Sequence, residues 1–410
     1  MSVFCRANPN PSTQARNIAL AMDTVLILDA NQRSALAATR SLGKRGVSVT
    51  TADEARTTLA GSSKYCQNRM TYPSPSHDPD RFLATLRTEV FQRQIGVVLP
   101  MTDVTASLLV SHRDSLGSAQ IPFPSAGSFE AASNKWSVYN LAMGLGIPTA
   151  VTYCLSSKKD LNGGLPQLTY PIALKPCRSQ GRANTQWRNV SVRYASSTEE
   201  LNAIVRNLEI SKDQPILAQQ YIRGEGRGIF ALYDQGKPIC FFAHRRLRER
   251  PPSGGVSVLS ESIPVDPYLR DLAQRLLDAL AWHGVAMLEF KIDPDGTPYL
   301  LEVNGRFWGS LQLAIDAGID FPWLLYQLAT GQAITSTPKY AVGVRSRWFL
   351  GDLDHLYLTL KSRTSAAEKL RTLVRFLALV QSRTRYDVNR WDDPEPFLLE
   401  CRRYVFGPGQ

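Results

Sequence analysis

Residues 288–310 read LEFKIDPDGTPYLLEVNGRFWGS. Two short apolar runs flank DPDG, a tight-turn signal, so the stretch reads as a β-hairpin. With the loop at Pro294–Thr297, Asp293 opposes Pro298. Ile292, Phe290 and Leu288 then oppose Tyr299, Leu301 and Val303 on one apolar face. The other face carries Glu289 directly opposite Glu302, with Asn304 two positions further along. Facing carboxylates repel, which costs stability unless one is protonated or a cation lies between them. Two carboxylates and an amide oxygen suit Mg²⁺, which takes few protein ligands and leaves positions for phosphate oxygens and water. A lone Glu on a strand is ordinarily a solvated face; the pair in register is what sets this hairpin apart.

Working outward, the chain of 410 residues is 43% hydrophobic and 20% charged, an ordinary balance with room for two or three domains. TVLILDA (24–30), VSVTTAD (47–53) and GVVLPMTD (96–103) read as strands. Residues 33–45 and 80–94 carry helical spacing between them, and strand–helix alternation implies a parallel sheet. The first strand–helix turn, ANQRSA, is not GxGxxG, so no dinucleotide site is expected there. From 131 to 153 the pattern predicts one helix closed by Gly146 and then a strand. Residues 170–194 predict two strands joined by a polar loop, 216–250 a run of β segments, and 266–284 an amphipathic helix. The fold class expected is α/β. A disordered tail (1–21, with Met22 a candidate start) precedes a Rossmann-like parallel-sheet domain (22–125). A two-lobed α+β domain (126–335) and a helical, aromatic extension (336–410) follow.

The net charge of +11 favours anionic partners. Basic runs interleaved with aromatics, zinc-finger patterns and RNA-recognition signatures are all lacking, so nucleic acid is not expected as a partner. No apolar run approaches the roughly 20 residues of a membrane span. The six cysteines lie too far apart in sequence for a metal or redox pair, which points to the cytoplasm. His283, at the end of a helix, reads as a cap or surface residue, and His77, His112 and His355 show no partner in the sequence. No Ser-His-Asp or Cys-His set suggests a covalent nucleophile.

The hairpin and its tail resemble the ATP-grasp superfamily, which includes D-alanine–D-alanine ligase, biotin carboxylase and carbamoyl phosphate synthetase; the resemblance spans roughly residues 24–335. It implies a Rossmann-like first domain followed by a two-lobed ATP-binding domain. Glu289, Glu302 and Asn304 would be Mg²⁺ (or Mn²⁺) ligands, and Arg306 would reach a phosphate or an acyl phosphate. Lys175 in YPIALKP and Lys135 in ASNKW look like the lysines that contact ATP phosphates. SQGRANT (179–185), with Ser179 and Gly181, stands where the family has a phosphate-covering loop, though with less glycine. In AQQYIRGEG (218–226), Gln220, Tyr221 and Ile222 would hold adenine through backbone groups. Glu225 would bind the ribose, although against some relatives that register falls on Gly226. Gln219 stands where many members carry Glu.

HRRLRERPPSGG (244–255) adds a substrate expectation. Strand alternation puts His244, Arg246, Arg248 and Arg250 on one face, with Arg245 on the other. Arg246 and Arg248 are candidate catalytic residues, gripping carboxylate or phosphate bidentately; the bland alternative is a charged edge strand. The resemblance implies a ligase: a small-molecule carboxylate attacks ATP to give an acyl phosphate, and an amine or thiol displaces phosphate. A kinase acting on a hydroxyl and a nucleotide-binding regulator are the other readings. In 365–383, Leu370, Leu373, Val374, Leu377 and Val380 form an apolar stripe among Lys369, Arg371, Arg375 and Arg383. It is expected to pack on its own domain, with peripheral membrane contact the alternative. A second copy of the chain is left open as a partner.

Overall fold

The computed structural model describes residues 24–161, 165–178, 192–252, 254–335, 338–377 and 384–407, and the strand backbone of 180–183 and 186–189. The expected tail, Ser179, Val380 and Arg383 lie outside the described residues.

The first domain holds β1 (Thr24–Ile27), α1 (Arg33–Gly43), β2 (Ser48–Asp53), β3 (Asn68–Thr71), α2 (Pro79–Gln92), β4 (Val97–Leu99) and α3 (Asp103–Ser111). Its sheet is parallel, in the order β3-β2-β1-β4. Val25, Leu26 and Ile27 are fully buried because helices cover both faces. Asp78 and Thr102 cap α2 and α3 by accepting from backbone N–H groups of the first turn.

The helix expected from 131 to Gly146 is two helices, α4 (Ala126–Ser133) and α5 (Lys135–Gly144). Asn134 breaks them. Its backbone is extended, and its side-chain oxygen accepts from the N–H groups of Trp136 and Ser137. An Asn at a helix start competes with the helix for its own backbone. The break puts Lys135 at the first helical position, its N–H donating to Cys177 O at 2.7 Å.

A smaller lobe follows: β5 (Thr152–Leu155), β6 (Ile172–Pro176), β7 (Gln180–Ala183), β8 (Gln186–Asn189), β9 (Arg193–Ala195), α6 (Thr198–Arg206) and β10 (Ile216–Gln220). Its antiparallel sheet runs β5-β10-β6-β9 over a small core of its own. Where one polar loop was expected between 170 and 194, β7 and β8 form a separate ribbon, pairing Gly181 with Arg188.

The larger lobe comprises β11 (Glu225–Asp234), β12 (Lys237–Arg250), β13 (Val256–Ile263), α7 (Pro267–Ala279), β14 (Gly284–Ile292), β15 (Pro298–Asn304), α8 (Leu311–Ala317) and α9 (Phe321–Ala329). β16 (Arg345–Arg347), α10 (Phe349–Lys361), α11 (Ala366–Leu377), β17 (Thr384–Tyr386) and α12 (Glu395–Phe406) complete the chain. One mixed sheet runs β15-β14-β11-β12-β13-β16-β17. Leu269, Leu272 and Leu276 of α7 pack on one face against Ile229, Leu288 and Phe290. The protein is thus mixed α/β, with a parallel sheet first and a mixed sheet later.

The last segment returns to the first domain. Asp393 accepts from Arg40 Nε at 2.8 Å, Ser63 Oγ at 2.7 Å and the Lys64 N–H at 2.9 Å. Arg403 donates to Asn31 at 2.8 Å. α11 does not dock by its aliphatic stripe: Leu370, Val374 and Leu377 are exposed, while Thr372 and Phe376 are buried. The Phe376 ring lies 4.5 Å from the Arg347 guanidinium and 6.0 Å from Phe349, and this aromatic contact sets the helix's rotation. No helix among the described residues is long and apolar enough to cross a membrane.

Candidate active site

The hairpin keeps its opposed acids but reaches them by a different register. Ile292 pairs with Pro298, Lys291 with Tyr299 and Phe290 with Leu300. Asp293 joins the loop, its carboxylate accepting from the N–H groups of Asp295 and Thr297, which slides the strand by one residue. A bulge between Glu289 and Phe290 then restores Glu289 opposite Glu302 and Leu288 opposite Val303. Burial explains it: Leu300 and Val303 both enter the core, and residues three apart share a face only across a bulge. Tyr299 and Leu301 therefore leave the apolar face where alternation had put them. The Leu301 carbonyl turns toward Lys175, whose Nζ lies 3.5 Å away.

A cavity of about 740 Å³ lies between the smaller sheet and the larger one. Lys175, Gln219, Gln220, Tyr221 and Ile222 line it from one side; Arg246, Glu289, Glu302, Asn304 and Arg306 line it from the other. Lys135 joins them from the break before α5. Its Nζ is 3.1 Å from Glu302. Burial alone would raise the Glu302 carboxyl, but Lys135, the Asn304 amide at 3.1 Å and Lys175 draw it down to about 2. Glu289 goes the other way. Burial raises it against the pull of Arg246 at 2.5 Å, and the facing Glu302 adds to the rise. Burial, then Lys135, push Lys175 down to about 8. Each acid thus has its own cation, and the like-charge cost is met by side chains.

Arg246 reaches Glu289 from two strands away, because β11 lies between β12 and β14. Glycines open the path. A Cβ on Gly226 would sit 3.3 Å from Arg246 Cδ, and one on Gly228 would sit 2.7 Å from the Phe230 ring and 2.9 Å from His244 Nε2. His244 is buried beside them, and burial lowers it to about 3, so it is neutral.

Several expected positions are moved. Bulges between Arg246 and Arg248, and between Arg248 and Glu249, break the alternation expected of the arginines. Arg248 turns to Asp352 at 2.8 Å, which also holds Arg347 at 2.6 Å in a buried cluster outside the cavity. Glu249 takes a cavity position in its place, while His244, Arg246 and Arg250 line the cavity as expected. Glu225 lies on the sheet face opposite Glu289, since Gly228 is the partner of Glu289 and Glu225 is an odd number of residues from it. Its carboxylate accepts from Arg227 at 2.7 Å, so the ribose role expected of it is not supported. Arg306 lines the cavity, but its fork is held by Asp103 of α3 at 2.9 and 3.0 Å. Gln219 turns its amide to Thr152 at 2.8 Å.

Residues missed in sequence include Tyr194, Met287 and Leu301, an apolar stretch of the cavity beside Tyr221 and Ile222, and Arg33 of α1. The one local signal was the glycine spacing in RGEGRG, where a strand interior with alternate Gly marks close approach. A divalent ion fits the donor set at Glu289, Glu302 and Asn304, because two carboxylates and an amide are hard oxygen donors, while the buried Arg246 Nε beside them, without a partner among the described residues, is a donor suited to an anionic oxygen. Among the described residues no three His, Cys, Asp or Glu side chains cluster as a self-sufficient metal site; a nucleotide-borne Mg²⁺ needs none.

A family model described as ATP-grasp in the biosynthetic pathway with Ter operon matches residues 212–350. The chain is 27% identical over 235 residues to D-alanine–D-alanine ligase B of Pseudomonas putida, covering 52% of this chain and 70% of that protein. It is 26% identical, with the same coverage, to D-alanine–D-alanine ligase of Pseudomonas entomophila. An L-amino acid ligase from Bacillus licheniformis superposes with a TM-score of 0.60 at 19% identity, over 75% of this chain and 74% of that one. The biotin carboxylase domain of 2-oxoglutarate carboxylase from Hydrogenobacter thermophilus gives 0.61 at 15%, over 79% and 73%. These two likenesses are of fold.

Proposed function

We propose, from the ATP-grasp match over residues 212–350 and the likeness to D-alanine–D-alanine ligases, that the chain activates a small-molecule carboxylate with ATP and joins it to an amine. The observation that carries this reading is Glu289 facing Glu302 beside Asn304, with Lys135 and Lys175 within reach, at the floor of a cavity between two sheets. A carboxylate oxygen attacks the γ-phosphorus, the bond to the β–γ bridging oxygen breaks, and ADP leaves. The amine nitrogen then attacks the acyl carbon, phosphate departs, and the nitrogen gives up its proton.

The proposed roles are supported by where the side chains stand. Glu289, Glu302 and Asn304 would hold Mg²⁺, which supplies charge neutralisation at the terminal phosphates. Lys135 and Lys175 neutralise further phosphate charge. The backbone of Gln220–Ile222 and the apolar surface of Tyr194, Tyr221, Ile222 and Met287 hold the base. Arg246 and Arg306 face the reacting groups, each oriented by an acid. Side-chain nucleophiles are not needed, because positioning and electrostatics carry phosphoryl transfer. Closing the lobes shields the acyl phosphate from water. Cytoplasmic residence belongs to the same proposal.

The test is a screen of the purified protein with ATP and Mg²⁺ against pools of carboxylic acids, amines and alcohols, reading both ADP and free phosphate. Equal release of the two that requires both an acid and an amine supports the ligase. ADP without free phosphate, together with a phosphorylated alcohol, overturns it in favour of a kinase.

A further inference from the structure

The proposed chemistry leaves two cavity arginines unused. Arg33, at the first position of α1, and Arg250, at the end of β12, both line the cavity, and neither forms an ion pair with the opposed acids. They come from different domains, yet one indole joins them. Arg33 Cζ lies 4.2 Å from the Trp348 ring centroid and Arg250 Cζ 5.4 Å. Asp387 pairs with Arg33 through Nη1, and Asp354 pairs with Arg250 through Nη1 at 2.6 Å. Glu400 accepts the Trp348 indole N–H at 2.8 Å. Trp348, Asp354, Asp387 and Glu400 all belong to the segment after residue 336.

An arginine carries five N–H donors in a rigid fork. One carboxylate on Nη1 fixes the plane and leaves other donors for a ligand. Stacking on tryptophan fixes it further. If these contacts only stapled the domains together, the guanidinium groups would be sealed away from the cavity. They line it instead, and Gly309 keeps the space before Arg33 open, since a Cβ there would sit 3.1 Å from its Nη2.

We propose that Arg33 and Arg250, held by the C-terminal extension across Trp348, form a subsite for a second anionic group, carboxylate or phosphate, on the acid that is activated. The proposal rests on the ligase reading and names its substrate class: an acid carrying a further negative group. Arg33 and Arg250 are specificity determinants that do not serve the nucleotide.

The test is calorimetric. The affinity of Mg²⁺ and a non-hydrolysable ATP analogue for the full chain is measured first. Butyrate, glutarate and 3-phosphonopropionate are then titrated into that complex; the last two separate a carboxylate from a phosphorus oxyanion as the preferred group. At least one dianionic probe is expected to bind tenfold or more tighter than butyrate. Arg33→Ala and Arg250→Ala are each expected to erase that preference and leave analogue affinity unchanged. Gly309→Ala keeps the Asp387 pair and crowds Arg33, so it reads the same subsite even if Arg33→Ala fails to fold; it is expected to weaken the dianion at least threefold. Equal binding of all three probes, binding of none, or variants that keep the preference overturn the subsite while leaving the ligase reading standing. Failure of the analogue itself to bind overturns both.

Discussion

Exchanging Glu302 for Gln preserves shape and removes one charge from the opposed pair. In the native protein this carboxyl, ordinarily at 4.5, sits at about 2, because Lys135 at 3.1 Å, the Asn304 amide and Lys175 together outweigh burial. That displacement favours the charged form by roughly 3 kcal/mol. Gln forfeits it and leaves the buried Lys175 and the half-buried Lys135 less compensated, so Glu302→Gln is expected to lose about 3 kcal/mol of stability at neutral pH without metal. The pH dependence has a definite sign. The folded value lies below the unfolded one, so the native advantage is full above 4.5, shrinks as pH falls and is gone below about 2. Denaturant unfolding of both proteins in chelator, at neutral pH and in steps through the acid range, measures this. Nucleotide binding supplies a second arm. Metal-free ATP should bind the variant at least as tightly as the native protein, because Lys135 and Lys175 lose a competing anion, while the gain from Mg²⁺ should vanish. A variant equally stable at pH 7, or one that keeps its Mg²⁺ enhancement, would refute the placement of charge at this site.

Lys175 is held at about 8, so ATP affinity should decline as pH rises above that value, by up to tenfold per unit, and Lys175→Met should lower and flatten the profile in equilibrium titrations. Asp352 is fully buried between Arg347 and Arg248; Asp352→Asn should cost roughly 3–5 kcal/mol, read as a lowered denaturation midpoint, with Mg²⁺–ATP affinity unchanged in the folded fraction. Gly228→Val must push aside Phe230 and His244, costing about 1–3 kcal/mol, read as a lowered midpoint in denaturant unfolding.

What the sequence disclosed was local. Glu289 and Glu302 could be paired because a hairpin turn and strand alternation involve neighbours only. Even there the register slipped, since Asp293 capped its own turn and Leu300 claimed a core position, and the bulge that repaired it leaves no mark in composition. The arginines of β12 failed for the same reason: two bulges re-aimed Arg248 at a carboxylate in a helix a hundred positions later. The break at Asn134 was readable in principle, as Asn before a Lys-Trp-Ser turn is a cap signal. Arg33 and Asp103 were not readable, because what brings them to the cavity is packing between distant segments.

The closing segment fastens the first domain to the far edge of the large sheet, through Asp393 on Arg40 and Arg403 on Asn31, while β16 and β17 are stitched into that sheet. The lobe carrying Lys175 keeps a core to itself and meets the rest along the cavity rim. The molecule is built like a vice with one bolted jaw. Grip and release of a cargo fall to the lighter jaw, and a cut through the bolts would blur where the fixed jaw stands long before it touched the screw.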